Sequence, residues 1–210
     1  MRVPILIAMT AIVAAGCATP DRSRNLNSPA VSASTVAQQV CSNCHGIDGN
    51  SVSPNFPRLA AQTGPYLIEQ LREFRAHDRS DPAGFEYMWG LSRHLTDAQI
   101  DGLATYFSSQ AATGNAPAKD EALAEAGKAI FENGKPERNL LACKTCHGDR
   151  AQGNAAIPRL AGQHSDYLVK QLYVFQRTEQ RPEGAVMKAI THLMDPTDMD
   201  AVAAYLQGLS

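Results

Sequence analysis

Apolar residues fall at helical spacing in two stretches of the chain that match each other. Leu67, Leu71 and Phe74 form an i, i+4, i+7 stripe, and Leu168, Leu172 and Phe175 form the same one, which predicts an amphipathic helix at each place. Gly64-Pro65 opens the first with proline at the first helical position, and Ser165 offers an N-cap to the second. Two later stripes, Ile100, Leu103, Ala104, Phe107 and Met199, Val202, Ala203, Leu206, predict a closing helix in each half. Thr96 to Gln99 reads as a capping box ahead of one, and Asp195-Pro196 gives the other a capping acid and a proline at N1. A further amphipathic run from Asp120 to Asn133 stops at Gly134, a residue suited to the left-handed end of a helix. Strand-like alternation does not rise above noise, so the predicted fold class is all-α.

The matching reaches beyond the stripes. Pro57-Arg58-Leu59-Ala60 recurs as Pro158-Arg159-Leu160-Ala161 at an offset of 101, which Tyr66, Gln70 and Phe74 also keep. Met88, Leu91 and Tyr106 pair with Met187, Ile190 and Tyr205 at an offset of 99. Similarity on this scale means two copies of one domain. They are assigned to residues 34–110 and 119–210, with a linker at 111–118 in the small, polar run Gln110 to Pro117. An insertion, Lys135 to Asn139, precedes the second copy's cysteine motif and has no counterpart in the first. Domains this short are marginal on an apolar core alone, so a buried cofactor that binds only the folded state would add the missing stability.

The cysteines supply that cofactor. Cys41-Ser42-Asn43-Cys44-His45 and Cys143-Lys144-Thr145-Cys146-His147 are two CxxCH motifs. On one helical turn, residues i, i+3 and i+4 share a face, so two thiols and an imidazole meet the same porphyrin, as in c-type haem attachment. The competing readings are a zinc site, a disulfide pair and a thioredoxin-like CxxC. A zinc ribbon spaces its pairs about 15–20 residues apart, far closer than these, and a redox CxxC needs no histidine after it. Two covalent haem c groups are therefore expected, held by Cys41, Cys44, Cys143 and Cys146, with His45 and His147 on the irons. The sixth ligand follows by elimination. Met88 is the first copy's one methionine, and its repeat partner is Met187; His77, His94, His164 and His192 have no histidine opposite them. Met194 and Met199 face Leu95 and Ile100 and are assigned to core or loop. The competing role for Met88 and Met187 is flexible gap-filling. His/Met coordination raises the potential and leaves no open position on the iron. That is the coordination of a carrier.

Both halves resemble class I cytochrome c domains, and their tandem arrangement resembles the cytochrome c4 family of dihaem electron carriers. The resemblance is carried by CxxCHG, Pro-Arg-Leu-Ala, Tyr-Leu with Gln-Leu and Phe behind it, the lone methionine, and the Ala-x-Tyr of the closing helix. It implies two tandem class I domains related by a pseudo-twofold axis, with the haem edges brought together. It implies that the carbonyls of Pro57 and Pro158 fix the Nδ1–H of the ligating histidines, which orients the ring and tunes the iron. Arg58 and Arg159 would neutralise haem propionates, since guanidinium suits carboxylates; the duller alternative is a solvated surface arginine. The expected function is one-electron carriage between a quinol-oxidising or dehydrogenase donor and a terminal oxidase or reductase, not enzymatic catalysis. The alternatives are a dedicated subunit of a membrane oxidase or dehydrogenase and, against the presence of both methionines, a dihaem peroxidase or gas sensor.

The N-terminus sets the expected location. Residues 1–16 read as a signal peptide whose apolar run, Val3 to Val13, is too short to span a bilayer. Ala14-Ala15-Gly16-Cys17 resembles the lipobox of bacterial lipoproteins, although Ala14 stands where leucine is usual, and Cys17 is the cysteine left over from haem attachment. Cleavage after Ala18 would instead release a soluble protein. Residues 17–33, rich in Ser, Asn and Pro, read as a flexible tether with a typical reach of about 20 Å. The expectation is a periplasmic protein anchored to a membrane through lipid on Cys17. A formal net charge of −2 excludes a strongly basic nucleic-acid surface. Every lysine lies in the second copy, where Lys119, Lys128, Lys135 and Lys144 would steer an acidic redox partner.

Overall fold

The computed structural model describes residues 28–114, 118 and 120–210. The signal peptide, Cys17, most of the tether and Lys119 lie outside the described residues. Ser32 caps α1 (Ala33–Val36) by accepting from the Thr35 N–H. The chain then runs through a π-turn, Ala37–Cys41, into α2 (Ser42–His45). After α3 (Gly64–Ala76) come a second π-turn, Gly84–Met88, then α4 (Trp89–Ser92) and α5 (Asp97–Ser108). The second half holds α6 (Glu121–Asn133), α7 (Lys144–His147), α8 (Ser165–Arg177), α9 (Ala185–Thr191) and α10 (Pro196–Gln207). The described residues contain no strand, only isolated bridges at Lys135–Leu140 and Asn154–Ile157.

Local chemistry explains the helix ends. Thr96 and Asp195 both form full capping boxes, with Gln99 and Asp198 at N3. Ser165 is not the cap expected of it. His164 holds that position in an extended conformation, and Ser165 is the first helical residue. Its orphan N–H donates to Gln207 Oε1 at 3.0 Å, so a side chain from α10 does the work of a local cap. Likewise Gly64 takes the first position of α3 and Pro65 the second.

Each half buries its first helix against its last. In the N-terminal half Val36, Ala37, Leu67, Leu103, Ala104 and Phe107 form the core. In the C-terminal half Ile130, Phe131, Leu168, Met199, Val202 and Leu206 do so, with Met194 also inside. The crossings are close enough to demand small residues. A Cβ on Gly127 would stand 1.9 Å from Ala201 O, and one on Gly102 would stand 2.5 Å from the Ala33 Cβ. The stripes of α3 and α8 differ in detail from expectation. Leu71, Leu172 and Phe175 are half-buried, while Gln70, Gln171 and Val174 are buried. The glutamines are buried because that face of each helix meets the other domain.

Two boundaries shift. Residues 28–33, assigned to the tether, are docked: Gln99 Nε2 donates to the carbonyls of Ser28 (3.2 Å) and Val31 (3.0 Å), and Val31 and Ala33 pack on the core. A polar composition hid this, because the contact satisfies backbone carbonyls rather than side chains. The linker's first residues are also held. Asn50 Nδ2 donates to Ala111 O, and the Thr113 N–H donates to Asn50 Oδ1. In the insertion, the Pro136–Arg138 turn presents Lys135 and Arg138 to Asp198, whose side chain is 3% exposed. Lys135 therefore clamps the start of α10.

The domains meet through a buried polar cluster. Arg79 and Arg181 each donate to both Gln70 Oε1 and Gln171 Oε1. Arg79 also pairs with Asp81, and Arg181 with Glu183. Each guanidinium lies over a phenylalanine of its own domain, Phe74 at 4.4 Å and Phe175 at 4.3 Å. Burial works against charge on Arg79, but Tyr167, Asp81 and Tyr66 raise its pKa well above the ordinary value. The twofold relation is imperfect at one point. Gln171 Nε2 donates to Asp81 Oδ2 at 3.2 Å, whereas Gln70 Nε2 and Glu183 Oε2 are buried without partners. The glutamate has one methylene more than the aspartate. A cluster this buried is weak evidence for net stability, because desolvation offsets its Coulombic gain.

Candidate haem sites

The same local fold builds both sites. In each, a short helix capped by the first cysteine carries the second cysteine and the histidine of CxxCH and ends at a glycine with positive φ, Gly46 (80°) or Gly148 (82°). The chain then loops back to a paired bond. Gly49 O accepts from the Leu59 and Ala60 N–H groups, and Ala151 O accepts from those of Leu160 and Ala161. This turn sets the preceding proline beside the histidine. His45 Nδ1 lies 2.8 Å from Pro57 O, and His147 Nδ1 lies 3.0 Å from Pro158 O. A carbonyl can only accept, so Nδ1 carries the proton and Nε2 is left with its lone pair. Burial lowers the pKa of both rings, partly opposed by the proline bonds. Neutral imidazole, the metal-binding form, is thereby favoured.

The thiols fit covalent attachment better than redox or zinc chemistry. Burial pushes Cys41 and Cys143 up to about 11, the opposite of an activated thiolate. No disulfide joins Cys41, Cys44, Cys143 or Cys146. Among the described residues no group of three His, Cys, Asp or Glu side chains converges as a metal-ion cluster would.

Exposed apolar residues border the ligand candidates along the chain, and an arginine follows each proline. Ile47 follows His45, Phe85, Tyr87 and Leu91 flank Met88, and Val186 precedes Met187; all five are exposed. Tyr87 meets Phe56 edge-on at 6.5 Å, and Phe56 meets His45 at 6.3 Å, which brings the Met88 segment to the His45 side. Met88 closes the second π-turn and Met187 sits within α9, so both lie on helical segments and both are half-buried. Arg58 and Arg159 are not simply solvated. Both Nε atoms are buried without a partner, and burial lowers the pKa of both side chains. Buried unpaired guanidinium N–H groups at matching positions fit carboxylates such as haem propionates.

Sequence reasoning missed the residues that join the sites. Gln62 and Gln163 reach across the interface to the backbone of Arg159 and Arg58, and His164 Nε2 donates to Ser51 O at 2.9 Å. Gln62 and Gln163 recur at the same offset as the Pro-Arg-Leu-Ala run, so the repeat carried their signal. Polar residues in a loop read as solvated until the second domain is placed over them.

Two helical domains, each presenting CxxCH beside a proline carbonyl, define the class of covalent haem proteins with a cytochrome c fold. The cytochrome c family model matches residues 30–111 and again 124–210. The chain is 38% identical over 181 residues to the cytochrome c4 of Stutzerimonas stutzeri, covering 81% of this chain and 84% of that one. It superposes on the reduced recombinant cytochrome c4 of Pseudomonas stutzeri with a TM-score of 0.75 at 36% identity, covering 84% of this chain and 98% of the other. It is also 31% identical to a thiosulfate dehydrogenase electron acceptor of Thiomonas intermedia, over 79% of this chain and 76% of that one. The chain belongs to the cytochrome c4 family: it is a dihaem electron-transfer protein with two covalently bound haem c groups on tandem cytochrome c domains.

Proposed function

We propose that the protein is a periplasmic one-electron carrier between a quinol-oxidising or dehydrogenase donor and a terminal oxidase or reductase. Cys41 and Cys44 would hold one haem by thioether bonds, and Cys143 and Cys146 the other. His45 with Met88 would hold one iron, and His147 with Met187 the other. When bound there, each haem supplies a one-electron Fe(III)/Fe(II) couple. The observation that carries this reading is the duplicated histidine–proline contact, His45 to Pro57 and His147 to Pro158. It pins both rings in one tautomer with Nε2 available to iron. Arg58 and Arg159 offer their unpaired Nε–H groups to propionates. With a histidine and a methionine on each iron, neither would be open to a substrate. Lipid on Cys17 would keep the carrier on one membrane face.

A second reading, a dedicated electron-accepting subunit of a dehydrogenase, is favoured by the similarity to the thiosulfate dehydrogenase electron acceptor. Stable co-purification with a dehydrogenase would establish it over the mobile carrier. The deciding test for the sites is carbon monoxide added to dithionite-reduced, haem-quantified protein. Two haems per chain and an unshifted visible spectrum are expected. A shift at either haem would mean an open iron and an enzyme or sensor instead.

A further inference from the structure

The Pro57–Arg58 peptide group is bonded at both of its polar atoms. Its carbonyl accepts from His45 Nδ1 at 2.8 Å, and its N–H donates to Gln163 Oε1, also at 2.8 Å. Gln163 belongs to the other domain. The opposite site repeats the arrangement. Pro158 O accepts from His147 Nδ1 at 3.0 Å, and the Arg159 N–H donates to Gln62 Oε1 at 2.7 Å. Each glutamine is fixed in place: Gln163 Nε2 donates to Arg58 O and Gln62 Nε2 to Arg159 O, both at 3.0 Å. Each Oε1 accepts a second bond from the next residue's N–H, that of His164 or Thr63. Both side chains are 6% exposed, so water does not compete for these bonds.

A peptide group is conjugated, and a bond accepted from its N–H shifts electron density toward its carbonyl oxygen. A more negative carbonyl holds the histidine Nδ1–H more tightly. The ring then becomes a more basic ligand, which favours ferric iron and lowers the potential. We infer that Gln163 and Gln62 are positioning residues that act crosswise, each tuning the iron–histidine pair of the opposite domain through a single peptide group. The inference rests on the reading of His45 and His147 as iron ligands.

The test uses the full chain with both haems, titrated potentiometrically and followed by NMR so that each domain's histidine reports its own iron. Gln163→Met should raise the potential of the N-terminal haem alone, and Gln62→Met that of the C-terminal haem alone. At a fixed ambient potential the ferric-to-ferrous ratio should fall about two- to fivefold, as expected for losing one link of a polarised chain. In the ferrous protein the Nδ1–H resonance of the opposite domain's histidine should move upfield. Gln70→Met removes an equally buried amide from the same interface without touching either peptide, and it should give no single-haem shift. If the Met variants do not assemble, Gln163→Glu keeps the acceptor, so the N-terminal haem's potential must not rise. Shifts in the variant's own domain, equal shifts in both, or no shift would overturn the inference. If the wild-type His45 and His147 ring protons lack the ring-current shift of a haem ligand, the ligand assignment falls with it. If that shift is present and the crossed pattern is missing, only the role of the glutamines falls.

Discussion

His164 stands where the repeat has Thr63, and this exchange puts a titratable ring on one side of a nearly twofold interface. Burial lowers its pKa below 6.5; the Ser51 bond and Asp166 oppose that, while the Arg58 charge adds to it. The unfolded chain therefore takes up a proton at this position before the folded one does. Stability falls as pH drops from the unfolded value of 6.5 to the lower folded value, and levels off beneath it. Denaturant unfolding of the holoprotein between pH 7 and pH 5 should show this slope. His164→Thr, which restores the partner residue, should flatten it and cost about 1 kcal/mol at pH 7 for the lost bond. An unchanged slope would show that the proton is taken up elsewhere. The sequence marked His164 only as a histidine without a repeat partner. Its role depends on Ser51, 113 positions away.

At the scale of elements, the two first-to-last helix crossings use the same small-residue pair with the sides exchanged. Ala33 on α1 faces Gly102 on α5, and Gly127 on α6 faces Ala201 on α10. The obstacles differ in kind. A Cβ at Gly102 meets a methyl group, whereas one at Gly127 meets a backbone carbonyl oxygen at 1.9 Å. Gly127→Ala should destabilise the holoprotein by about 2–3 kcal/mol, the upper range for overpacking. Adding Ala201→Gly should not restore the loss, because the oxygen remains. Gly102→Ala should be largely rescued by Ala33→Gly, which deletes the obstacle. Thermal unfolding of the single and double variants checks both statements, and equal rescue at the two crossings would disprove the distinction. The helices themselves were legible from 3.6-residue periodicity and caps, as α5 and α10 show. The start of α8 was not, because its first N–H is satisfied by Gln207 from α10.

For the whole molecule, the proposed lipid on Cys17 and the docking of residues 28–33 together set the tether's length. Residues 18–27 separate Cys17 from the docked Ser28 along the chain. Cys17→Ser should move the protein from the membrane to the soluble fraction. Retention of the variant through high-salt and carbonate washing would count against the anchor. The two haem sites are not independent modules on a string. Gln62, Gln163 and His164 link each site's loop to the other domain, and the Arg79–Gln70–Gln171–Arg181 cluster fixes the angle between the halves.

The amino-acid sequence alone determined the two domains, their helical class and the cofactor chemistry. Each depends on residues close in the chain: CxxCH spans one helical turn, caps lie three residues from their partners, and duplication repeats both. The tertiary structure decided which polar residues are buried and what they reach. Gln62, Gln163, Arg79, Arg181 and His164 look solvated along the chain, and they become an interface only when the other domain removes their water. Burial and long-range pairing are set by the packing of whole surfaces, which local spacing does not encode.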